Sequence, residues 1–102
     1  MRNAAWVFRA LADPTRRQIL EELKRGELAA GEIGGRFAIS APSISRHLAI
    51  LKAAELVSER RDGNRILYRL VPKTLIVSLN SYLSAVCPTQ LRQRRRIAAK
   101  RV

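Results

Sequence analysis

The stretch ISAPSISRHLAILKAAEL, from Ile39 to Leu56, constrains this chain most. Ile44, Leu48 and Leu51 recur at spacings of four and three. In a helix they fall within about 40° of one another and form one buried face. Pro42, Ser45, Arg46 and Ala49 lie opposite, with Ser43 and His47 flanking them. Ser40 is the expected N-cap, and Pro42 falls in the first turn, where a missing N–H costs nothing. The outer face is therefore small, polar and basic. Such a face can enter a DNA major groove about 12 Å wide. Arg46 can reach guanine edges or phosphates, and Ser40, Ser43 and Ser45 can bond bases or phosphates. For His47, a hydrogen bond to the DNA backbone or core packing outweighs a role in sensing pH.

Val57 to Val71, VSERRDGNRILYRLV, follows at once. Ile66, Tyr68 and Leu70 alternate with Leu67 and Arg69, as a strand requires. Asp62-Gly63-Asn64 signals a tight turn, with either Asp62-Gly63 or Gly63-Asn64 as its two central residues. Arg60, Arg61, Asn64 and Arg65 surround the tip. A solvated turn would be the plain reading, but four arginines fall within ten residues once Arg69 is added. A basic hairpin beside a polar-faced helix is placed to grip a phosphate backbone or the adjacent minor groove.

Charge supports a polyanionic partner. Twenty Lys and Arg face eight Asp and Glu, a net charge of +12 over 102 residues. Nucleic acid and an anionic membrane surface both satisfy that excess. No apolar run approaches the roughly 20 residues of a membrane span, so insertion is not expected. The N-terminus has no apolar core of signal-peptide length, and a cytoplasmic location is expected. The single cysteine, Cys87, allows no internal disulfide and no cysteine-rich zinc site. At the end of an apolar helix it reads as a small packed residue rather than a redox switch. No Ser-His-Asp, Cys-His, paired-carboxylate or phosphate-loop arrangement stands out, so an enzyme is not expected.

The flanks supply a scaffold. Residues 3–12 read as a short helix apolar on more than one side, a pattern of burial between two surfaces. Trp6 and Phe8 are either core or contacts with a second subunit. Asp13-Pro14 starts a second helix, about Pro14 to Lys24, with Ile19, Leu20 and Leu23 as its stripe and Arg16 off it. Gly26 stops it. Leu28 to Phe37 reads as a short third helix weakened by glycines; alternatively, Gly34-Gly35 lets two helices pack closely. Pro72 opens a last helix with Leu75, Leu79, Tyr82, Leu83 and Val86 on one stripe, more apolar surface than a small domain needs. A chain of this size buries only about 60–70% of its unfolded surface, so a partner could complete the core. Dimer contact is expected through Trp6, Val7, Phe8 and Leu11 of the first helix and through that stripe of the last. Pro88 ends it. The chain thus divides into a domain, residues 1–88, and a basic tail, residues 89–102, suited to non-specific phosphate affinity.

Together these residues resemble a family. VFRALADPTRRQILEEL, ISAPSISRHLAILKAAELV and ERRDGNRILYRL look like the ArsR/SmtB family of bacterial winged-helix repressors. The resemblance covers about residues 5–71. It implies a mainly α (α+β) winged helix-turn-helix: four helices, a two-stranded wing and a final helix. It further implies a homodimer through the first and last helices, bound to double-stranded DNA at an inverted-repeat operator. DNA contacts would then fall on Ser40, Pro42, Ser43, Ser45, Arg46 and His47, and on the wing residues Arg60, Arg61, Asn64 and Arg65.

Metal sensing does not carry over with the resemblance. Many relatives hold a metal through a Cys-x-Cys pair in the third helix; residues 27–32 here contain no thiol or imidazole. Others use His and carboxylates along the last helix; residues 73–87 contain no Asp, Glu or His. A closed site for a soft or borderline metal needs several such ligands. No metal and no cofactor is expected, and the chain looks closest to the metal-free autorepressors. A small apolar molecule or a protein would each fit as inducer. Two rival readings stand: a winged helix that binds another protein, and a duplex-DNA binder without sequence preference.

Overall fold

The structure is a computed structural model that describes residues 4–87. The elements run α1 (Ala4–Leu11), α2 (Pro14–Leu23), β1 (Leu28–Ala29), α3 (Ala30–Arg36), α4 (Ala41–Ala53), β2 (Val57–Asp62), β3 (Arg65–Leu70) and α5 (Pro72–Val86). This is the winged helix-turn-helix expected, mainly helical with a small antiparallel sheet. The expected boundary at Pro88 and the basic tail lie outside the described residues, as do residues 1–3. Among the described residues no helix is long and apolar enough to cross a membrane.

The core forms where the apolar stripes of four helices converge. Val7 and Ala10 of α1, Ile19, Leu20 and Leu23 of α2, Ile33 of α3, and Ile44, Leu48 and Leu51 of α4 are buried together with Leu56 and Val57. Each full-size aliphatic side chain removed from water here contributes about 1.5–3 kcal/mol. Leu11, Leu28, Phe37, Leu70 and Leu75 close the margins of the core. Asp13 starts α2 as expected: its carboxylate accepts the N–H groups of Thr15 at 2.8 Å and Arg16 at 3.2 Å. Gly26, at φ 146°, follows the helix in a conformation that L side chains rarely adopt.

Several expectations need correction. The sheet has three strands in the order β1-β3-β2. Leu28 and Ala29 leave the expected third helix and pair with Tyr68 and Leu67. Two residues are too short a strand for alternation to show in sequence. Helix α4 stops at Ala53 rather than Leu56. Glu55 takes φ 60°, its N–H donates to Lys52 O at 2.9 Å, and Leu56 N–H donates to Leu51 O at 3.0 Å. That Schellman closure ordinarily uses glycine, so a glutamate there hid the helix end. Arg16, expected off the stripe of α2, is buried at 9% exposure. The Gly34-Gly35 pair is not demanded by close helix packing: a Cβ on Gly34 would meet Ile44 Cγ1 at an ordinary 3.7 Å, and one on Gly35 would meet nothing within 4 Å.

Between β2 and β3 the register runs from Val57↔Leu70 to Asp62↔Arg65. The turn is thus Gly63-Asn64, with Gly63 at φ 63° supplying the left-handed step. Val71 N–H donates to Leu56 O at 2.9 Å and leads the chain from the hairpin into α5.

Candidate nucleic-acid interface

Helix α4 carries its buried and exposed faces where the spacing predicts them. Ile44, Leu48 and Leu51 are buried, while Pro42, Ser45, Arg46 and Ala49 are exposed. Ser40 caps the helix: Ser43 N–H donates to Ser40 Oγ at 3.3 Å, and the Ser40 hydroxyl donates to Ser43 Oγ at 3.2 Å. Residues 41–53 hold no acidic side chain. Among the described residues Arg46 has no ion-pair or hydrogen-bond partner, so its guanidinium is available to an outside acceptor. Arg, Ser and the exposed N-terminal turn form a donor-rich surface, the chemistry that matches phosphate oxygens and purine edges.

His47 sits differently. It is half-buried, and its Nδ1 lies 3.3 Å from Arg16 Nη1. The Arg16 guanidinium also donates from Nε to Ala10 O at 2.8 Å and from Nη2 to Arg9 O at 3.0 Å. Asp13 Oδ2 stands 3.9 Å from Arg16 Nη1. One buried cation thus joins the end of α1, the cap of α2 and helix α4. Burial raises the Asp13 pKa, but the Arg16 and Thr15 N–H bonds, with His47 and Arg16 nearby, hold it below its ordinary value. The sequence held a sign of this: Arg16, Ile19, Leu20 and Leu23 follow the i, i+3, i+4, i+7 pattern of a single helix face.

The wing divides its arginines. Arg61 and Asn64 are exposed at the tip. Arg60 instead donates to both Glu27 oxygens, Nε at 2.7 Å and Nη2 at 2.9 Å. That hydrogen bond lowers the Glu27 pKa and raises the Arg60 pKa. Arg65 donates to Glu32 Oε1 at 3.0 Å, the same oxygen that accepts Ala29 N–H at the start of α3. These exposed pairs fix the arginines' direction at little energetic gain, and phosphate oxygens can replace the carboxylates. At the other end of the hairpin, Lys52 of α4 pairs with Glu59 of β2. The Lys52 hydrogen bond holds the Glu59 carboxyl low against its partial burial, while burial and then Glu59 raise the neighbouring Tyr68 phenol. Helix α4 and the wing are therefore tied to one another. Sequence reasoning missed Arg16, Glu27 and Glu32, whose partners His47, Arg60 and Arg65 lie far along the chain, and Glu59, which meets Lys52 across the end of α4.

A second surface lies on α1 and α5. Trp6, Phe8, Tyr82, Leu83 and Val86 are exposed, and Phe8 meets Tyr82 edge to face at 5.2 Å. Ile76, missed in the sequence, extends the exposed apolar side of α5. Val7 does not belong to this surface: it is buried in the chain's own core, while Leu11 and Leu75 are partly buried against that core.

Comparison with known proteins now decides the lineage. The family described as "Bacterial regulatory protein, arsR family" matches residues 13–59, from the cap of α2 into β2. The transcriptional repressor SdpR of Bacillus subtilis is 50% identical over 80 residues, covering 78% of this chain and 89% of SdpR. The chain belongs to the arsR family of bacterial regulatory proteins. Solved structures of the family share the fold. An ArsR-like transcriptional regulator from Rhodococcus sp. RHA1 superposes with a TM-score of 0.74 at 34% identity, covering 94% of this chain and 87% of that one. A homodimeric winged helix-turn-helix DNA-binding domain from Mycobacterium bovis gives 0.67 at 33% identity, covering 79% and 76%. As a member of the arsR family the chain is a regulator and not an enzyme.

Proposed function

We propose that this arsR-family chain is a homodimeric repressor that reads an inverted-repeat operator in double-stranded DNA and senses no metal. One observation carries the reading: the exposed face of α4 is free of acidic side chains and presents beside a basic wing an Arg46 that has no partner among the described residues. Base contacts are assigned to Ser43, Ser45 and Arg46, with Ser40 and Pro42 at the helix entrance. Arg61 and Asn64 meet the DNA backbone at the wing tip, joined by Arg60 and Arg65 once phosphates replace their carboxylate partners. The exposed apolar surface of Trp6, Phe8, Tyr82, Leu83 and Val86, with half-buried Leu79 beside it, forms the subunit contact. Two α4 helices would then enter successive major grooves about 34 Å apart. The likeness to SdpR, a named repressor, and to a homodimeric DNA-binding domain supports both parts.

For the metal, the side chains support the negative reading. Among the described residues no three His, Cys, Asp or Glu side chains gather into a site. Residues 27–32 hold no thiol or imidazole, and residues 73–87 hold no Asp, Glu or His, for such a site to draw on. Cytoplasmic action follows from the DNA partner.

The test compares two arginines on two DNAs. Genome-wide capture with purified protein first identifies the operator. Gel shifts then compare Arg46→Ala with Arg96→Ala, a change in the basic tail, on operator and on random duplex. Arg46→Ala is expected to weaken operator binding about tenfold or more, in line with 1–3 kcal/mol for a base-reading arginine, and to leave random duplex nearly unaffected. Arg96→Ala weakens both alike and only slightly. Equal losses from Arg46→Ala on the two DNAs would sink the base-reading role and leave a non-specific binder.

A further inference from the structure

The Arg16 cluster does more than fill a gap between helices. A guanidinium has five N–H donors and no acceptor. At 3.3 Å, with Arg16 Nη1 donating, His47 Nδ1 must therefore accept. The neutral imidazole is then forced to carry its proton on Nε2. Nε2 has no hydrogen-bond partner among the described residues. No side-chain nitrogen or oxygen there is both buried and unpartnered, so Nε2 reaches solvent.

We infer that Arg16 is a positioning residue that sets the tautomer and direction of His47, so that Nε2–H is offered to a DNA phosphate oxygen beside α4. Arg16 is itself held from three directions: by Ala10 O and Arg9 O at the end of α1, and by Asp13 at the start of α2. A donor fixed this way suits an anionic acceptor and rejects a base donor. The first half of the inference, the tautomer, concerns the protein alone. The second half rests on the DNA-binding reading above.

The chain has one histidine, so its imidazole nitrogens give a single, unambiguous signature. Nitrogen-15 NMR of the full, DNA-free protein, with the ring neutral, is expected to show the Nε2–H tautomer with Nδ1 as acceptor. Arg16→Lys should turn that signature into a mixture of tautomers and weaken operator binding about tenfold, roughly one hydrogen bond to a charged group. An Nδ1–H tautomer in the wild type, or an unchanged tautomer in Arg16→Lys, overturns the inference.

Should Arg16→Lys unsettle the fold, His47→Gln covers that case. Glutamine keeps an outward donor near the position of Nε2 but loses the acceptor facing Arg16. Operator affinity should fall several-fold while circular dichroism and dimer content stay at wild-type values. Adding Arg16→Lys to His47→Gln should then cost little more, because the two act through one bond. Fully additive losses count against the link. If the Nε2–H signature appears but the protein binds no duplex, the DNA reading fails and the positioning of His47 by Arg16 stands.

Discussion

Helices α4 and α5 are both amphipathic, yet the chain finishes one and leaves the other unfinished. The apolar side of α4 is wholly covered, with Leu48 at 1% exposure and Leu51 at 0%. What remains outside is small, polar or basic. The apolar side of α5 is covered only along part of its length; Tyr82 keeps 53% of its surface in water and Val86 58%. The start of each helix tells the same story. Ser40 caps α4 with its hydroxyl, whereas Val71, before α5, supplies no side-chain cap. A face completed within one chain is free to work on a foreign surface. A face left open invites a second copy, and a contiguous exposed apolar patch rimmed by polar groups is a common mark of such contact.

The comparison breaks most easily in the core. Leu51→Ala removes a fully buried side chain packed among α2, α3 and α4, and should cost about 2–5 kcal/mol in denaturant unfolding. A cost below about 1 kcal/mol would mean that α4 does not complete its buried face within one chain. On α5 the expected response is of another kind. Tyr82→Arg places a charge in the open patch and breaks the edge-to-face contact with Phe8. Sedimentation should show a shift from dimer to monomer, with far-ultraviolet circular dichroism unchanged. An intact dimer would move the subunit contact elsewhere and leave the α5 face without its assigned partner.

Much of this contrast could be read from the sequence, because it depends on local periodicity. The buried face of α4, the Asp13 cap, the hairpin and the open stripe of α5 follow from residues three or four apart, or alternating. What could not be read depends on pairs distant in sequence. Glu27 and Arg60 stand 33 positions apart, as do Glu32 and Arg65, and no spacing rule links them. The partnering of Arg16 with His47, 31 positions away, turned a residue expected at the surface into a buried one. Val7 belonged to the apolar first helix, but periodicity could not assign it to the core rather than to a partner. The end of α4 at Ala53 escaped because Glu55 stands where glycine is usual.

The helix starts differ by a smaller energy. The Asp13 carboxyl titrates below its ordinary 3.8 in the folded chain, because the N–H groups of Arg16 and Thr15 favour its charged form over the cost of partial burial. A depressed folded pKa gives stability that is complete above the unfolded value and is lost as pH falls through the folded one. Asparagine caps a helix about as well as aspartate but carries no charge. Wild type should therefore exceed Asp13→Asn by about 0.3–1 kcal/mol near neutral pH, from the charge at the N-terminus of α2 and beside Arg16. The gap should close in urea titrations as pH falls through the lowered folded-state pKa of Asp13, where the wild-type carboxyl becomes neutral. A gap that widens with acid would mean that Asp13 is charged at a net cost, and that Arg16 is held by α1 alone. A parallel titration of Tyr82→Arg should keep the wild-type acid response, since that substitution lies on the open face of α5, away from the capped end of α2.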